Sequence, residues 1–301
     1  MSMRKIRVNR KFPAKVVKKS FFSFFFCNFA RKFEKKVCKF MRTMVITGGS
    51  SGIGKATAEL FADNGYKVYE LSRRTPSETY EGITHITCDV TDVEACRKAV
   101  GMVMAADGHV DVMISNAGMG ISGAVEFTAT EDARRQMDVN FMGAVNITQA
   151  VLPLMREQRG GTIIYVSSVM GAYGLPFQAF YSASKFAING FAQALINEVR
   201  PFGIKVAVLM PGDVKTGFTD ARKKELEGTK EYPHMTKAVE TMEHDEQHGI
   251  APERMAKKLL ELAESRNPEP TSTVGWMYKV FLFLGRMFPM RFINYVIGKM
   301  Y

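Results

Sequence analysis

The sequence predicts a doubly wound α/β domain, one parallel sheet with helices on both faces, from three observations. From Thr43 onward, short β-branched runs alternate with longer stretches of helical periodicity, which implies right-handed crossovers between parallel strands. The first of those runs feeds a glycine-rich turn that opens a helix. A chain of 301 residues, 46% of them hydrophobic, can bury one large α/β core or two small ones, which excludes a disordered or fibrous protein.

Taken in order, Met44–Thr47 reads as a buried strand, followed after the turn by a helix over Lys55–Asn64 that stops at Gly65. Tyr66–Leu71 is the second strand. Ile83–Cys88, Val110–Ser115, Thr162–Ser167 and Ile204–Met210 supply four more, with helical stretches at Val93–Ala105, Glu131–Gln158 and Phe180–Val199 between them and at Pro252–Glu264 after them. No internal repeat interrupts the pattern. Ligands on such sheets bind beyond the carboxyl ends of the strands, so the chemistry is to be sought where each strand stops.

The formal net charge of +11 on its own suggests nucleic acid or an anionic membrane surface. Its distribution removes that reading for the main body. Residues 1–42 hold 14 Lys/Arg and one acid, Glu34, whereas residues 43–301 hold 27 basic and 29 acidic residues. Residues 43–301 are therefore expected to form a single domain with no nucleic-acid partner. Residues 1–42 form a separate basic extension with no glycine and nine of the 22 phenylalanines, and the apolar run from Phe21 to Ala30 is too short to cross a bilayer. Lys and Phe are the residues of A-only and T-only codons, so this segment is expected to be translated AT-rich upstream DNA, with Met41 the natural start. A targeting or membrane-surface segment is the alternative. The four cysteines, Cys27, Cys38, Cys88 and Cys96, make no C-x-x-C pair, which argues against a disulfide framework or a cysteine-based metal site and for a cytoplasmic location.

The first strand ends in Thr47-Gly48-Gly49-Ser50-Ser51-Gly52-Ile53-Gly54. Glycines there allow positive φ and close approach of the backbone to a pyrophosphate, which then rests on the N–H groups of the helix start. The spacing is Gly-x-x-x-Gly-x-Gly, and with it the sequence resembles the short-chain dehydrogenase/reductase family, whose cofactor motif is Thr-Gly-x-x-x-Gly-x-Gly. The expected fold is then a single Rossmann-type sheet. Gly48, Ser50, Ser51, Gly52, Ile53 and Gly54 are the implied phosphate-side residues. At the end of the second strand an acid would bind the ribose hydroxyls of NAD, and an arginine the 2′-phosphate of NADP. The chain reads Leu71-Ser72-Arg73-Arg74, so Ser72, Arg73 and Arg74 favour NADP(H) over NAD(H). Glu70, two residues before Ser72 and by alternation on the same side, is the counterweight. Asp89-Val90 resembles the family's adenine-contacting pair. Asn116-Ala117-Gly118 resembles its Asn-Asn-Ala-Gly, with Ser115 in place of the first Asn.

Tyr181 and Lys185, four apart, share one face of a helix. An unperturbed tyrosine titrates near pH 10, and a nearby ammonium together with an oxidised nicotinamide is expected to lower it. The resemblance implies that Tyr181 gives a proton to the substrate oxygen and that Ser168, 13 positions earlier, hydrogen-bonds the same oxygen. Lys185 would bind the nicotinamide ribose, and Asn140 would hold a water relay. After the sixth strand, Pro211, Gly212, Val214 and Thr216 match the family's Pro-Gly loop, which holds the carboxamide. His244 and His248 are not an H-E-x-x-H site because Asp245 follows the first, so no metal is expected.

Residues 213–250 are expected to be a substrate lid of loop or short helices. Residues 270–301 carry four basic residues, no acid and many large apolar side chains. They read as a helix packed on its own domain or across an oligomer interface, with an apolar cap over the substrate and peripheral membrane contact as alternatives. The expected function is NADP(H)-dependent interconversion of a ketone and a secondary alcohol on a bulky hydrophobic substrate such as a steroid or bile acid, in a homodimer or homotetramer. Small polar, sugar-derived or acyl carbonyls are the alternative substrates. A non-catalytic NADP-binding regulator or scaffold is the alternative of a different class.

Overall fold

The computed structural model describes residues 42–225 and 227–301. The expectation for residues 1–42 falls, apart from Arg42, outside the described residues.

Seven strands form one parallel sheet: β1 (Arg42–Thr47), β2 (Tyr66–Ser72), β3 (Ile83–Thr87), β4 (Val112–Ser115), β6 (Gly161–Val166), β7 (Ile204–Leu209) and β9 (Thr271–Ser272), in the order β3-β2-β1-β4-β6-β7-β9. The winding reverses between β1 and β4, and the groove beyond their carboxyl ends is where such sheets hold ligands. β1 lies centrally between β2 and β4, and its residues from Thr43 to Thr47 are fully buried. That is why the run lacks polar alternation.

Alternate side chains of each strand go to opposite faces. Val45, Leu71, Met113, Ile163 and Val206 pack against α2 (Val93–Asp107), α4 (Gly143–Gln158) and α5 (Ala179–Val199). Met44, Ile46, Val68, Ile114, Ile164 and Leu209 pack against α1 (Gly52–Asp63) and α8 (Pro252–Glu264). In α8, Met255, Leu259 and Leu262 form the apolar stripe that its sequence spacing predicts. Asp92 caps α2 by accepting from the N–H groups of Glu94 and Ala95, and the left-handed Gly108 ends it.

The helix expected over Glu131–Gln158 is not continuous. It divides into α3 (Thr130–Met137), a π-helical turn at Asp138–Met142, and α4. The wider turn admits a close approach, because a Cβ at Gly143 would lie 2.6 Å from Val90 Cγ2. The seventh strand, β9, was not expected, nor was the small parallel pair of β5 (Ile121–Gly123) with β8 (Lys223–Glu225). These strands have two or three residues each, too few for a periodic signal.

The lid is more ordered than expected. It holds α6 (Phe218–Ala221), β8 and a 13-residue helix, α7 (Met235–Gln247). Met235, Ala238, Val239 and Met242 sit at helical spacing and bury against the body near Ala124, which anchors α7. The C-terminal segment folds as α9 (Trp276–Met287) and α10 (Met290–Met300).

Candidate active site

The glycine turn is built so that side chains cannot enter it. Gly48 and Gly52 take φ of +66° and +53°, and a Cβ at Gly54 would lie 2.1 Å from the Gly48 carbonyl oxygen. Asn116 closes the turn from β4, its Nδ2 donating to the carbonyls of Thr47 and Gly48 at 3.2 and 3.0 Å. The Thr47 hydroxyl accepts from the backbone N–H groups of Asn116 and Ala117. Ser51 precedes α1 without making a side-chain cap, so the first-turn amides of α1 remain open to an anion. This cradle fits a dinucleotide pyrophosphate. We expect Gly54→Ala to cost at least about 2 kcal/mol of stability and most of the NADPH affinity, because backbone rather than a flexible side chain must move. Thermal melts with and without NADPH check this, and an unchanged ligand-induced shift would contradict it.

At the end of β2, Arg73 and Arg74 are exposed, and the Ser72 hydroxyl donates to the Arg74 carbonyl at 2.9 Å. Glu70 does not extend toward the ribose position as a free acid. It is buried beneath Gly49 and paired with His85 Nδ1 at 2.6 Å. An exposed arginine pair with the nearby acid committed elsewhere fits a 2′-phosphate. Asp89 Oδ1 accepts from the Thr91 N–H and hydroxyl. Burial pushes that carboxyl up, but those bonds and the charges of Arg73 and Arg135 hold it below the usual range. Val90 is a core residue whose carbonyl accepts from Asn146.

The four residues of the expected catalytic set come from three features of the fold: the π-turn, the turn after β6, and α5. Ser168, just past β6, caps a short 3₁₀ turn by accepting from the Met170 N–H at 3.1 Å. Tyr181 and Lys185 lie on α5, with the Lys185 Nζ 5.5 Å from the centre of the Tyr181 ring. Lys185 is only 4% exposed, and its ammonium donates to the Val166 carbonyl at 3.0 Å. Burial alone pulls it down to about 8. Ser167, one place earlier than Ser168, donates to the Lys185 carbonyl and so ties β6 to α5.

Tyr181 departs from expectation. Burial pushes its phenol up to about 12 and Glu246 adds to the rise, outweighing Arg222 and a hydrogen bond from Ser168. Desolvation of the anion exceeds the help of the charges around it. Asn140 sits in the π-turn, and its amide is fully engaged. Oδ1 accepts from the Met119 N–H at 2.8 Å, while Nδ2 donates to the Met119 carbonyl and to Ser184 Oγ, both at 3.0 Å. Gly118 packs beside it.

The Pro-Gly loop crosses this site. The Pro211 carbonyl accepts from Val169, Val214 bridges to Ile250, and Thr216 lies against Gly52, bringing the lid onto the glycine turn. Tyr278 of α9 covers Gly212, accepting from the Asp213 N–H at 3.0 Å and donating to Asp213 Oδ2 at 2.5 Å.

Three lid residues at the site had no sequence signal. The Phe218 ring stands 5.8 Å from that of Tyr181. The guanidinium of Arg222 is buried and pairs with Glu246, which also accepts from Thr219 at 2.6 Å. Two Arg222 nitrogens, Nε and Nη1, lack partners among the described residues. Arg222 and Glu246 are 24 positions apart and read from sequence as solvated lid charges.

The arrangement can hold a dinucleotide along the carboxyl edge of the sheet and present one phenol and one hydroxyl to a carbonyl oxygen. The family model for short chain dehydrogenase matches residues 42–227. The chain is 42% identical over 240 residues to the 3-ketodihydrosphingosine reductase of Bacteroides thetaiotaomicron, spanning 79% of this chain and 89% of that protein. Among solved structures, a short-chain dehydrogenase from Streptomyces avermitilis has a TM-score of 0.74 at 27% identity, over 86% of this chain and 95% of that one. ElxO with NADP bound has a TM-score of 0.68 at 26% identity, over 80% of this chain and 99% of that one.

Proposed function

Because the chain belongs to the short-chain dehydrogenase/reductase family and is an oxidoreductase, we propose that it reduces a long-chain, lipid-derived ketone to the secondary alcohol, using NADPH. The observation that carries the chemistry is the meeting of Ser168, Tyr181 and Lys185 at the carboxyl edge of the sheet, beside a partly apolar lid. The substrate class is supported by the likeness to the 3-ketodihydrosphingosine reductase, and we take the sphingoid ketone as first candidate. The cofactor choice is supported by Arg73 and Arg74 and by the engagement of Glu70 with His85.

Bound NADPH supplies the hydride. The chain supplies the proton and the geometry. Tyr181 donates its phenolic proton to the carbonyl oxygen as the carbon is reduced, and a phenol held near 12 is fully protonated at neutral pH and ready to do so. Ser168 donates to the same oxygen and stabilises the charge that develops on it. Lys185, anchored on Val166, lies behind the Tyr181 ring, where its ammonium favours the phenolate left after transfer. Phe218 and α7 shield the reacting carbonyl from water.

The test is a turnover panel with purified full-length protein: 3-ketodihydrosphingosine, a ketosteroid and a keto-sugar, each with NADPH and NADH. We expect the sphingoid ketone to lead in kcat/KM and NADPH to be preferred. In Arg73→Ala the KM for NADPH should rise about tenfold with NADH unaffected, the loss of one charge-assisted pair. A lead for the ketosteroid or keto-sugar would overturn the substrate assignment, and equal effects on both cofactors would overturn the role of Arg73.

A further inference from the structure

The described surface has large exposed apolar side chains concentrated in one place. Of 17 such residues, 11 lie between Trp276 and Met300, ten on α9 and α10 and one, Phe288, between them. Scattered exposed hydrophobes need no explanation, but a contiguous patch of this kind marks a binding surface. α9 is apolar on both of its long faces. Its inner face holds Tyr278, Phe281 and Leu282 against the body, with the Phe281 ring 4.9 Å from that of Tyr173. Its outer face presents Trp276, Val280, Phe283 and Met287 to solvent, with Trp276 77% exposed and Phe283 63% exposed. α10 repeats the arrangement, burying Ile293 and Ile297 while Phe292 and Tyr295 face outward.

These helices are therefore docked on the domain and carry an uncovered apolar outer face. Charge identifies what covers it. Lys279, Arg286, Arg291 and Lys299 are all exposed on the same two helices, residues 270–301 contain no acid, and no ion pair to any of the four occurs among the described residues. An isologous contact with a second copy would set these cations against their own images with no counter-charge. Residues 1–41, with 13 basic residues and one acid, offer these cations no counter-charge in their sequence either. Neither α9 nor α10, at 12 and 11 residues, is long enough to cross a bilayer.

We propose that α9 and α10 form a docking surface for an anionic phospholipid bilayer, lying in the interface with the aromatic and methionine side chains among the acyl chains and the four cations among the headgroups. The surface joins the site through Tyr278, which sits on the Pro-Gly loop at Gly212 and Asp213. A membrane-borne substrate would reach the lid from this side. The inference does not depend on which ketone is reduced.

The protein carries its own reporter, since Trp276 is its one tryptophan. The full chain is titrated with vesicles of phosphatidylglycerol and phosphatidylcholine, and separately with vesicles of phosphatidylcholine alone, while Trp276 emission is followed. With the anionic vesicles we expect a blue shift and quenching by brominated acyl chains, weakened by added salt and much smaller on the neutral vesicles. The double substitution Lys279→Glu and Arg286→Glu should lower vesicle partitioning at least about tenfold. Emission that stays that of solvated indole with anionic vesicles would overturn the proposal. So would emission already blue-shifted without vesicles, which would assign the patch to a second copy if it depends on protein concentration and to the chain's own residues if it does not. Because the readout is not turnover, a failed substrate assignment and a failed membrane surface give different results.

Discussion

Tyr181→Phe is expected to lower kcat for ketone reduction by about 10³-fold or more while leaving NADPH binding within about twofold of wild type. The substitution removes one oxygen and the proton it donates, and keeps the ring that packs against Phe218. Measured fluorescence titration of NADPH and single-turnover reduction separate the two effects. Survival of turnover at the wild-type level would remove the proton-donor role. The same residue sets the pH dependence. With its phenol held near 12, reduction should lose no rate to tyrosine ionisation up to about pH 9, whereas alcohol oxidation, which needs the phenolate, should accelerate with pH across that range. Oxidised cofactor, when bound, would supply a positive charge that favours the phenolate, so the oxidation limb should move to lower pH in its presence. A pH–rate profile in both directions reads this directly.

Lys185→Met is expected to abolish turnover and to reshape stability against pH. The folded protein holds this lysine at about 8 against an ordinary 10.5, so the unfolded chain binds its proton more tightly. The resulting destabilisation is fully present below pH 8, on the order of 3 kcal/mol, and vanishes as pH rises through about 10.5. Wild type should therefore gain stability between pH 8 and 10.5 relative to the methionine variant, which has no such group. The variant also leaves the Val166 carbonyl without its donor, a cost independent of pH that makes the slope more telling than the offset. Paired denaturant melts at pH 7 and pH 10 give the comparison. A stability difference that does not move with pH would show that the ammonium is not held in a desolvated site.

Much of this site was legible because its parts are local in sequence. Gly48, Gly52 and Gly54 lie within one turn whose backbone forbids other residues, and Tyr181 and Lys185 are placed together by helical periodicity alone. The six longer strands and their helices followed from patterns four or more residues long. The illegible parts depend on contacts between distant segments. Whether Glu70 faces a ribose or a histidine turns on the register of β2 against β3, which pairs Glu70 with His85. The rise of the Tyr181 phenol comes from burial beneath a lid whose charged members, Arg222 and Glu246, meet only through the folding of α6 against α7. The π-turn at Asn140 has no periodic signature either, since one extra residue in a helix changes the phase of the pattern without erasing it.

The clamp of Tyr278 on Gly212 and Asp213 has a consequence for the order in which the enzyme comes into being. The glycine turn is built chiefly from β1, α1, β2 and the β4 loop, all within the first 120 residues, so the adenosine half of the groove would be available early in synthesis. The Pro-Gly loop, which would hold the nicotinamide end, is tied down by Tyr278, far along the chain. A nascent chain would pass through a stage in which it can hold nucleotide but cannot yet fix the end that reacts, and competence would arrive only when α9 leaves the ribosome and settles.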